Sequence, residues 1–78
     1  MKPGERNTII GERVRAFRSN KKVSLVELSK RLVEHPTTFQ QLAKYETGRS
    51  FWPADLVAEI AIILGVSYET LLGERHER

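Results

Sequence analysis

None of the 78 residues is a cysteine, so no disulfide can staple this short chain. The same absence excludes thiolate zinc sites and cysteine nucleophiles. A domain this small must then be held together by apolar packing alone. With 40% hydrophobic and 29% charged residues, the sequence has the proportions of a globular domain and not of a disordered chain. We expect one small domain, which excludes a large multidomain enzyme.

The sequence favours a cytoplasmic location without a membrane partner. The longest dense apolar stretch, Leu56 to Leu64, is far shorter than the roughly 20 residues of a membrane-spanning helix. No charged-then-apolar leader opens the chain. Lack of cysteine is typical of a reducing compartment. We therefore expect a soluble, unprocessed cytoplasmic protein.

Apolar residues recur at helical spacing along the chain, and strand-like alternation is absent. The pattern predicts an all-α fold, a compact bundle of five short helices. The first helix is expected from Thr8 to Asn20, capped by Asn7 or Thr8. Its buried face is predicted to carry Ile10, Val14 and Phe17.

Capping signals mark the second and third helices. Ser24 and Glu27 form a capping box that begins the second helix, whose buried residues are Leu28 and Leu32. The stretch His35-Pro36-Thr37 interrupts the helical pattern, because proline disfavours helical geometry in the residue before it. Thr38 then caps a third helix, expected over Phe39 to Thr47, with Gln41 as its N3 partner and Gly48 after its end.

Two further helices complete the predicted domain. Pro53 suits the first turn of a fourth helix that Gly65 ends, and Ser67 caps a short fifth helix that Gly73 ends. The predicted inner residues are Val57, Ile60, Ala61 and Leu64 in the fourth helix and Leu71 and Leu72 in the fifth. Residues 1–7 are expected to form an N-terminal arm, residues 8–73 the domain, and residues 74–78 a frayed tail.

The third predicted helix presents polar side chains to solvent. If Leu42 points into the core, steps of 100° per residue bring Tyr45 and Glu46 beside it. The same steps turn three residues outward, namely Gln40, Lys44 and Thr47, with Gln41 and Ala43 on the flanks. Glutamine can bond bidentately to adenine, and lysine can donate to guanine or phosphate, so this face suits the reading of base edges. The alternative is that glutamine and lysine are simply good exposed helix formers.

Positive charge is concentrated in the first 22 residues, which contain seven lysines and arginines and two glutamates, a net charge of +5. The other 56 residues sum to −2. Clustered cations are the footprint of a domain that meets a polyanion, because neutralised phosphates release counterions. A solvated helix face explains the same charge equally well.

Four segments, in this order and spacing, resemble the phage-repressor type of helix-turn-helix, also called the xenobiotic-response-element type. They are IGERVRAFR (Ile10 to Arg18), SLVELSKRL (Ser24 to Leu32), TFQQLAKYETGR (Thr38 to Arg49) and AEIAIILGVSYETLL (Ala58 to Leu72). The resemblance covers residues 10–72 and implies a lambda-repressor-like DNA-binding domain whose third helix enters the major groove.

The resemblance also implies roles for individual residues. Positions that match the family's base-reading positions are Phe39, Gln40, Gln41 and Lys44. Positions that match its phosphate contacts are Thr38, at the helix cap, and Thr47, Arg49 and Ser50, in the loop that follows. Arg18 and Glu46 match a structural ion pair between the first and third helices. We expect the Phe39 ring to pack against the core, with contact to a thymine methyl as the alternative.

The sequence departs from the family pattern in three places. The stretch from Leu32 to Tyr45 is three residues longer than usual, so a lengthened turn is expected between the second and third helices. Leu25 stands where the family often has a phosphate-contacting glutamine. Lys22 stands where the family has glycine, so we expect the turn after the first helix to close differently, because a left-handed lysine would cost roughly 1 kcal/mol.

The fourth helix has more apolar residues than its inner face needs. Ile62 falls near the opposite side, and Leu56 and Ile63 fall on its flanks. Together with Tyr68 and Leu72 they predict the interface of a symmetric homodimer, because exposed clustered apolar surface marks a partner. Such a dimer would read a palindrome with recognition helices about 34 Å apart. Scattered exposed aliphatic residues are the alternative.

No pattern of residues predicts catalysis, a metal site or a cofactor. His35 and His76 lack a carboxylate at a convincing ligand spacing, and no phosphate loop or nucleophile elbow occurs. Trp52 is expected to cover the core, with base stacking as the alternative.

Taken together, these features predict a sequence-specific regulator of transcription that binds double-stranded DNA, most plainly a repressor. The alternative is an antitoxin-like protein-interaction module that masks a partner protein, with DNA binding secondary or lost. The aliphatic surplus of the fourth helix favours that alternative, whereas the basic N-terminal third and the amide face of the third helix favour DNA.

Overall fold

Five α-helices and no strand make up residues 3–73, the part of the chain that the structure, a computed structural model, describes. The helices are α1 (Pro3–Asn20), α2 (Leu25–Arg31), α3 (Phe39–Glu46), α4 (Ala54–Leu64) and α5 (Tyr68–Leu72). None of them is both long and apolar enough to cross a membrane. The expected frayed tail, residues 74–78, lies outside the described residues.

Helix α1 begins five residues earlier than the sequence pattern predicts, at Pro3 and not at Thr8. The predicted cap at Asn7 or Thr8 is therefore wrong, and residues 3–7 of the expected N-terminal arm are helical. Proline suits a first helical position because its missing N–H has no helical partner there, and Glu5 favours the same helix end electrostatically. Asn7 lies within α1, and its buried side chain makes a tertiary contact instead of capping the helix.

Side-chain caps begin three of the other helices as predicted. The hydroxyl oxygens of Ser24, Thr38 and Ser67 accept hydrogen bonds from the third residue of α2, α3 and α5, respectively. The second half of the predicted capping box is replaced by a different contact, because Glu27 Oε2 accepts from Arg31 Nε at 3.0 Å.

A residue with a left-handed backbone follows each of α1, α3, α4 and α5, whereas α2 ends in the extended residue Leu32. Gly65 and Gly73 follow α4 and α5 with φ of 72° and 81°, as predicted. Lys22 also adopts φ 60° after α1, so the turn closes as it would with glycine, and the expectation of a different closure is wrong. Pro53 is the N-cap of α4 and not a residue of its first turn.

Helix α4 contributes more buried apolar side chains to the core than any other helix. Its buried side chains are Leu56, Val57, Ile60, Ala61 and Leu64. They pack with residues from the other four helices, chiefly Ile10, Val14, Leu28, Leu42 and Leu71. Leu56 is 0% exposed, so its predicted position on an exposed flank is wrong.

Trp52 covers one side of this core, as predicted. Its side chain is buried, and its ring stacks on Tyr45 of α3 with 5.0 Å between the ring centroids. Since Tyr45 lies on the inner side of α3, the stack supports that helix from behind.

Gly11 allows α1 and α3 to approach closely. A Cβ atom at this position would collide with the backbone carbonyl of Glu46, which cannot yield as a flexible side chain would. The contact fixes the C-terminal end of α3 against α1. A glycine inside an otherwise regular helical pattern is the sequence signal for such an approach.

Candidate nucleic-acid interface

The outer face of α3 consists of the exposed side chains Gln40, Lys44 and Thr47. Leu42 is fully buried on the opposite side of the helix. Tyr45 and Glu46 face inward, where they stack and form an ion pair. The predicted orientation of this helix is therefore confirmed, because the residues one turn apart, Gln40 and Lys44, present an amide and an ammonium group to solvent.

The remaining residues predicted to contact bases lie at the edges of this face. Gln41 is half-buried, and its backbone N–H donates to the Thr38 hydroxyl at 3.2 Å. Phe39 is 42% exposed and does not belong to the core, so the expectation that its ring packs there is wrong. Thr38 is exposed, and its hydroxyl, which accepts the cap bond, still has a proton to donate.

The loop after α3 contains the other residues predicted to contact phosphate. The Thr47 hydroxyl donates to the carbonyls of Ala43 and Lys44, each at 3.1 Å. Since a phosphate oxygen is an acceptor, this hydroxyl has no proton left for it in this arrangement. Arg49 is exposed and Ser50 is half-buried, which leaves the Arg49 guanidinium as the charged donor of the loop.

Asn7 of α1 fixes the shape of this loop through two hydrogen bonds. Its Nδ2 donates to the backbone carbonyl of Ser50 at 2.7 Å, and its Oδ1 accepts from the backbone N–H of Trp52 at 3.0 Å. The two bonds hold Trp52 inward, and Phe51 between the two bonded residues is 71% exposed. Sequence reasoning missed Asn7 because its partners lie more than 40 positions away along the chain.

An ion pair fastens the C-terminal end of α3 to α1. Arg18 Nε and Nη2 donate to the two carboxylate oxygens of Glu46 at 2.8 and 3.0 Å. The side chains are 14% and 6% exposed, and Arg18 Nη1 also donates to the Val23 carbonyl. The predicted structural pair is confirmed, and its bidentate geometry fixes direction as well as distance.

A single carboxylate of α4 organises the loop between α2 and α3. The Glu59 oxygens accept from the backbone N–H groups of Val33, Glu34 and His35 at 2.7, 3.0 and 2.9 Å. These donors are consecutive residues of the connection between α2 and α3, so this connection is a hydrogen-bonded loop tied to α4. No local pattern identifies Glu59, because its partners lie 24 to 26 positions earlier in the chain.

The same contacts change the acidity of Glu59. Desolvation raises the pKa of its carboxyl group, but the three N–H donors, with a smaller contribution from His35, lower it by more. The net pKa lies below the usual value of 4.5, so the carboxylate form is favoured by the fold.

A depression of about 480 Å³ opens where the start of α2 meets the outer side of α3. Its lining is formed by Leu25, Phe39, Gln40, Ala43, Lys44, Thr47 and Arg49. Leu25 is also one of the partly buried apolar residues that pack against the core. The depression therefore has an apolar floor, and two cations and an amide stand around it.

Three arginines of the basic N-terminal third make internal contacts. Arg6 Nη1 and Arg13 Nε donate to the carbonyls of Leu72 and Thr70 at the end of α5, and Arg18 pairs with Glu46. Cations suit a helix C-terminus because they satisfy its last carbonyls. The concentration of charge near the N-terminus is thus in part a structural feature. Of the other cations, Arg15 in α1 and Lys21 and Lys22 in the turn after it are exposed.

The residues predicted for a dimer interface differ in exposure. Ile62 is 79% exposed, whereas Leu56 is fully buried and cannot take part. The others, Ile63, Tyr68 and Leu72, are half-buried and pack against the core. Val33, which the predicted interface did not include, is 74% exposed. Its backbone N–H donates to Glu59, which lies about one helical turn before Ile62 in α4.

Within residues 3–73, no group of three or more histidine, aspartate or glutamate side chains could hold a metal ion. His76 lies outside the described residues. Comparison of the chain with protein-family models, with curated proteins and with solved structures found no significant match.

Proposed function

We propose that this protein binds double-stranded DNA at specific sequences through the outer face of α3 and regulates transcription, as a repressor that occupies its operator. The observation that carries the proposal is the joint exposure of Gln40 and Lys44 on a helix whose opposite side is buried through Leu42. The second support is the way this helix is held: a cap at its start, an ion pair at its end and an aromatic stack behind it.

Rigid support matters because base reading depends on direction. A side chain that reads a base edge must meet two hydrogen-bonding atoms at once, and each well-made bidentate contact discriminates by about 1 to 3 kcal/mol. In the proposed complex Gln40 and Gln41 bond to adenine, and Lys44 donates to guanine or phosphate. Thr38, Arg49 and Ser50 contact the phosphate backbone, which sets the register of the helix in the major groove.

Binding sites selected from a pool of random duplexes test this proposal directly. We expect one recovered motif, with Gln40→Ala relaxing the preference at a single base pair. Arg49→Ala is the matched control, because a lost phosphate contact weakens all sequences alike. Equal loss of affinity for selected and random duplexes in Gln40→Ala would remove Gln40 from the base-reading set.

A second candidate function is an antitoxin-like module whose main task is to mask a partner protein. The exposure of Ile62 and of Val33 favours it, because exposed apolar surface is what a protein contact would bury. A salt titration separates the two functions. A DNA binder with roughly six phosphate contacts loses affinity with a slope of about −0.9 per contact in log salt, whereas binding to a protein through apolar surface hardly responds.

A further inference from the structure

The apolar floor of the depression beside α3 is formed by Leu25, Phe39 and Ala43. Phe39 and Ala43 are one turn apart, so they share a row on the helix, and Gln40 and Lys44 share the neighbouring row. The surface that would meet a duplex is thus divided into an apolar row and a hydrogen-bonding row. Hydrogen bonds to base edges give a role to Gln40 and Lys44 but none to the apolar row of Phe39 and Ala43.

We propose that this depression receives the C5-methyl group of a pyrimidine, so that the protein selects thymine at one base pair through van der Waals contact with Phe39 and Leu25. The inference rests on the proposed DNA binding and names the chemistry that the same surface recognises. It also assigns 5-methylcytosine as the other base that fits, since that base carries the same methyl group at the same place.

Charge and chemistry select this occupant. Lys44 and Arg49 also line the depression, so the surface around it attracts an anionic partner such as a duplex. Among the groups that a duplex displays in its major groove, the thymine C5-methyl is the apolar one. An apolar floor between cations therefore matches a thymine edge between phosphates.

The positions of the rows predict which thymine is selected. Adenine offers N6 and N7 to a glutamine, and the methyl of its paired thymine lies in the same groove. Since Phe39 and Gln40 are consecutive residues, the methyl contact falls within about one base pair of the adenine that Gln40 reads. The selected motif should therefore contain an A·T pair, or two adjacent A·T pairs, at this place.

The test uses the full chain and the duplex recovered from the random pool, with each thymine replaced singly by uracil. Uracil keeps every hydrogen-bonding atom and lacks only the methyl. We expect one of these replacements to weaken binding about fourfold, the effect of withdrawing one methylene-sized group from contact. Replacing that base pair by C·G should weaken binding as well, and methylating the new cytosine at C5 should restore part of the loss.

Protein variants connect the effect to the depression. Phe39→Ala should bind the thymine and uracil duplexes equally, and Leu25→Gln should reduce the ratio between them, while Gln40→Ala keeps the fourfold ratio. Phe39→Leu, which retains an apolar side chain, should keep most of it. Thermal unfolding of each variant shows that the fold is intact, which is expected for Phe39 because its ring lies outside the core.

The outcomes separate this inference from the function on which it rests. Specific binding with no uracil-sensitive position, or a ratio that persists in Phe39→Ala, overturns the methyl contact and leaves the proposed DNA binding standing. Failure to bind any duplex in the selection overturns the proposed function and the inference with it.

Discussion

At the residue scale, side chains whose partners are near in the chain behave as their type predicts, and those with distant partners do not. Ser24 and Thr38 cap the helices that follow them, because the donor to be satisfied lies three residues away. Asn7 has the chemistry of a cap but bonds instead to Ser50 and Trp52, 43 and 45 positions later in the chain. Nothing in its own neighbourhood distinguishes the two uses.

Lys22 stores conformational strain at an exposed position, since it adopts φ 60°. A left-handed backbone suits glycine, which has no Cβ to oppose it. We expect Lys22→Gly to raise the free energy of unfolding by about 1 kcal/mol, measured by urea denaturation with Trp52 fluorescence.

Lys21→Gly is the matched control for this prediction. Lys21 is equally exposed and does not have a positive φ, so glycine there should add only chain entropy to the unfolded state and lower stability. Similar gains from both substitutions would mean that charge removal, and not strain at Lys22, is responsible.

The ion pair between Arg18 and Glu46 is largely buried, so the loss of one partner leaves the other charge without compensation. We expect Glu46→Leu and Arg18→Met each to cost about 3 kcal/mol of stability. The double variant should cost less than the two together, because it buries no lone charge. Additive losses in this double-mutant cycle would show that the two side chains contribute independently.

At the element scale, the position of α3 depends on four attachments, and two of them involve contacts that sequence alone does not specify. The ion pair was implied by the family resemblance, and Tyr45 and Trp52 were each expected on the core side, although not in contact with each other. The close approach at Gly11 and the loop held by Glu59 were not expected. Since the loop leads directly into Thr38, its attachment to α4 sets where α3 begins.

Glu59 should make the stability of this loop depend on pH. Its folded-state pKa is below 4.5, so the stabilisation is present above that pH and is lost as pH falls through the lower folded-state pKa. We expect the difference in unfolding free energy between the wild type and Glu59→Gln to be constant near neutral pH and to shrink below pH 4.5.

Glu34→Gln is a suitable control, because Glu34 is exposed and its side chain is not the acceptor in this contact. Its stability should follow the wild type across the acid range. If the curves of the wild type and Glu59→Gln stay parallel from pH 7 to about pH 3, the lowered pKa of Glu59 is wrong.

At the scale of the whole molecule, the proposed homodimer rests on Ile62 more than on the rest of the predicted interface. Ile62 is 79% exposed, whereas Leu56 is buried and Ile63, Tyr68 and Leu72 already pack against the core. A two-fold interface centred on Ile62 would bury this side chain against its own copy or a neighbouring residue of the partner.

Ile62→Asp should abolish such a dimer and leave the monomer folded, because the side chain contributes little to the core. Sedimentation of concentrated protein, with and without the selected duplex, measures the mass. Ala54→Asp, at another exposed position of α4, is the control and should leave association unchanged. A monomer mass for the wild type in both conditions excludes the dimer.

The sequence by itself determined the helical class, four of the five helix starts to within a residue, four of the five inner residues of α4 and the outward face of α3. All of these depend on interactions within one or two helical turns, where residue type and spacing decide the energy. Tertiary structure decided that Asn7 fixes the loop after α3, that Glu59 holds the loop between α2 and α3, and that Leu25 and Phe39 meet in one depression. Each of these contacts joins residues far apart in the chain, and their free energy exists only after the helices have packed.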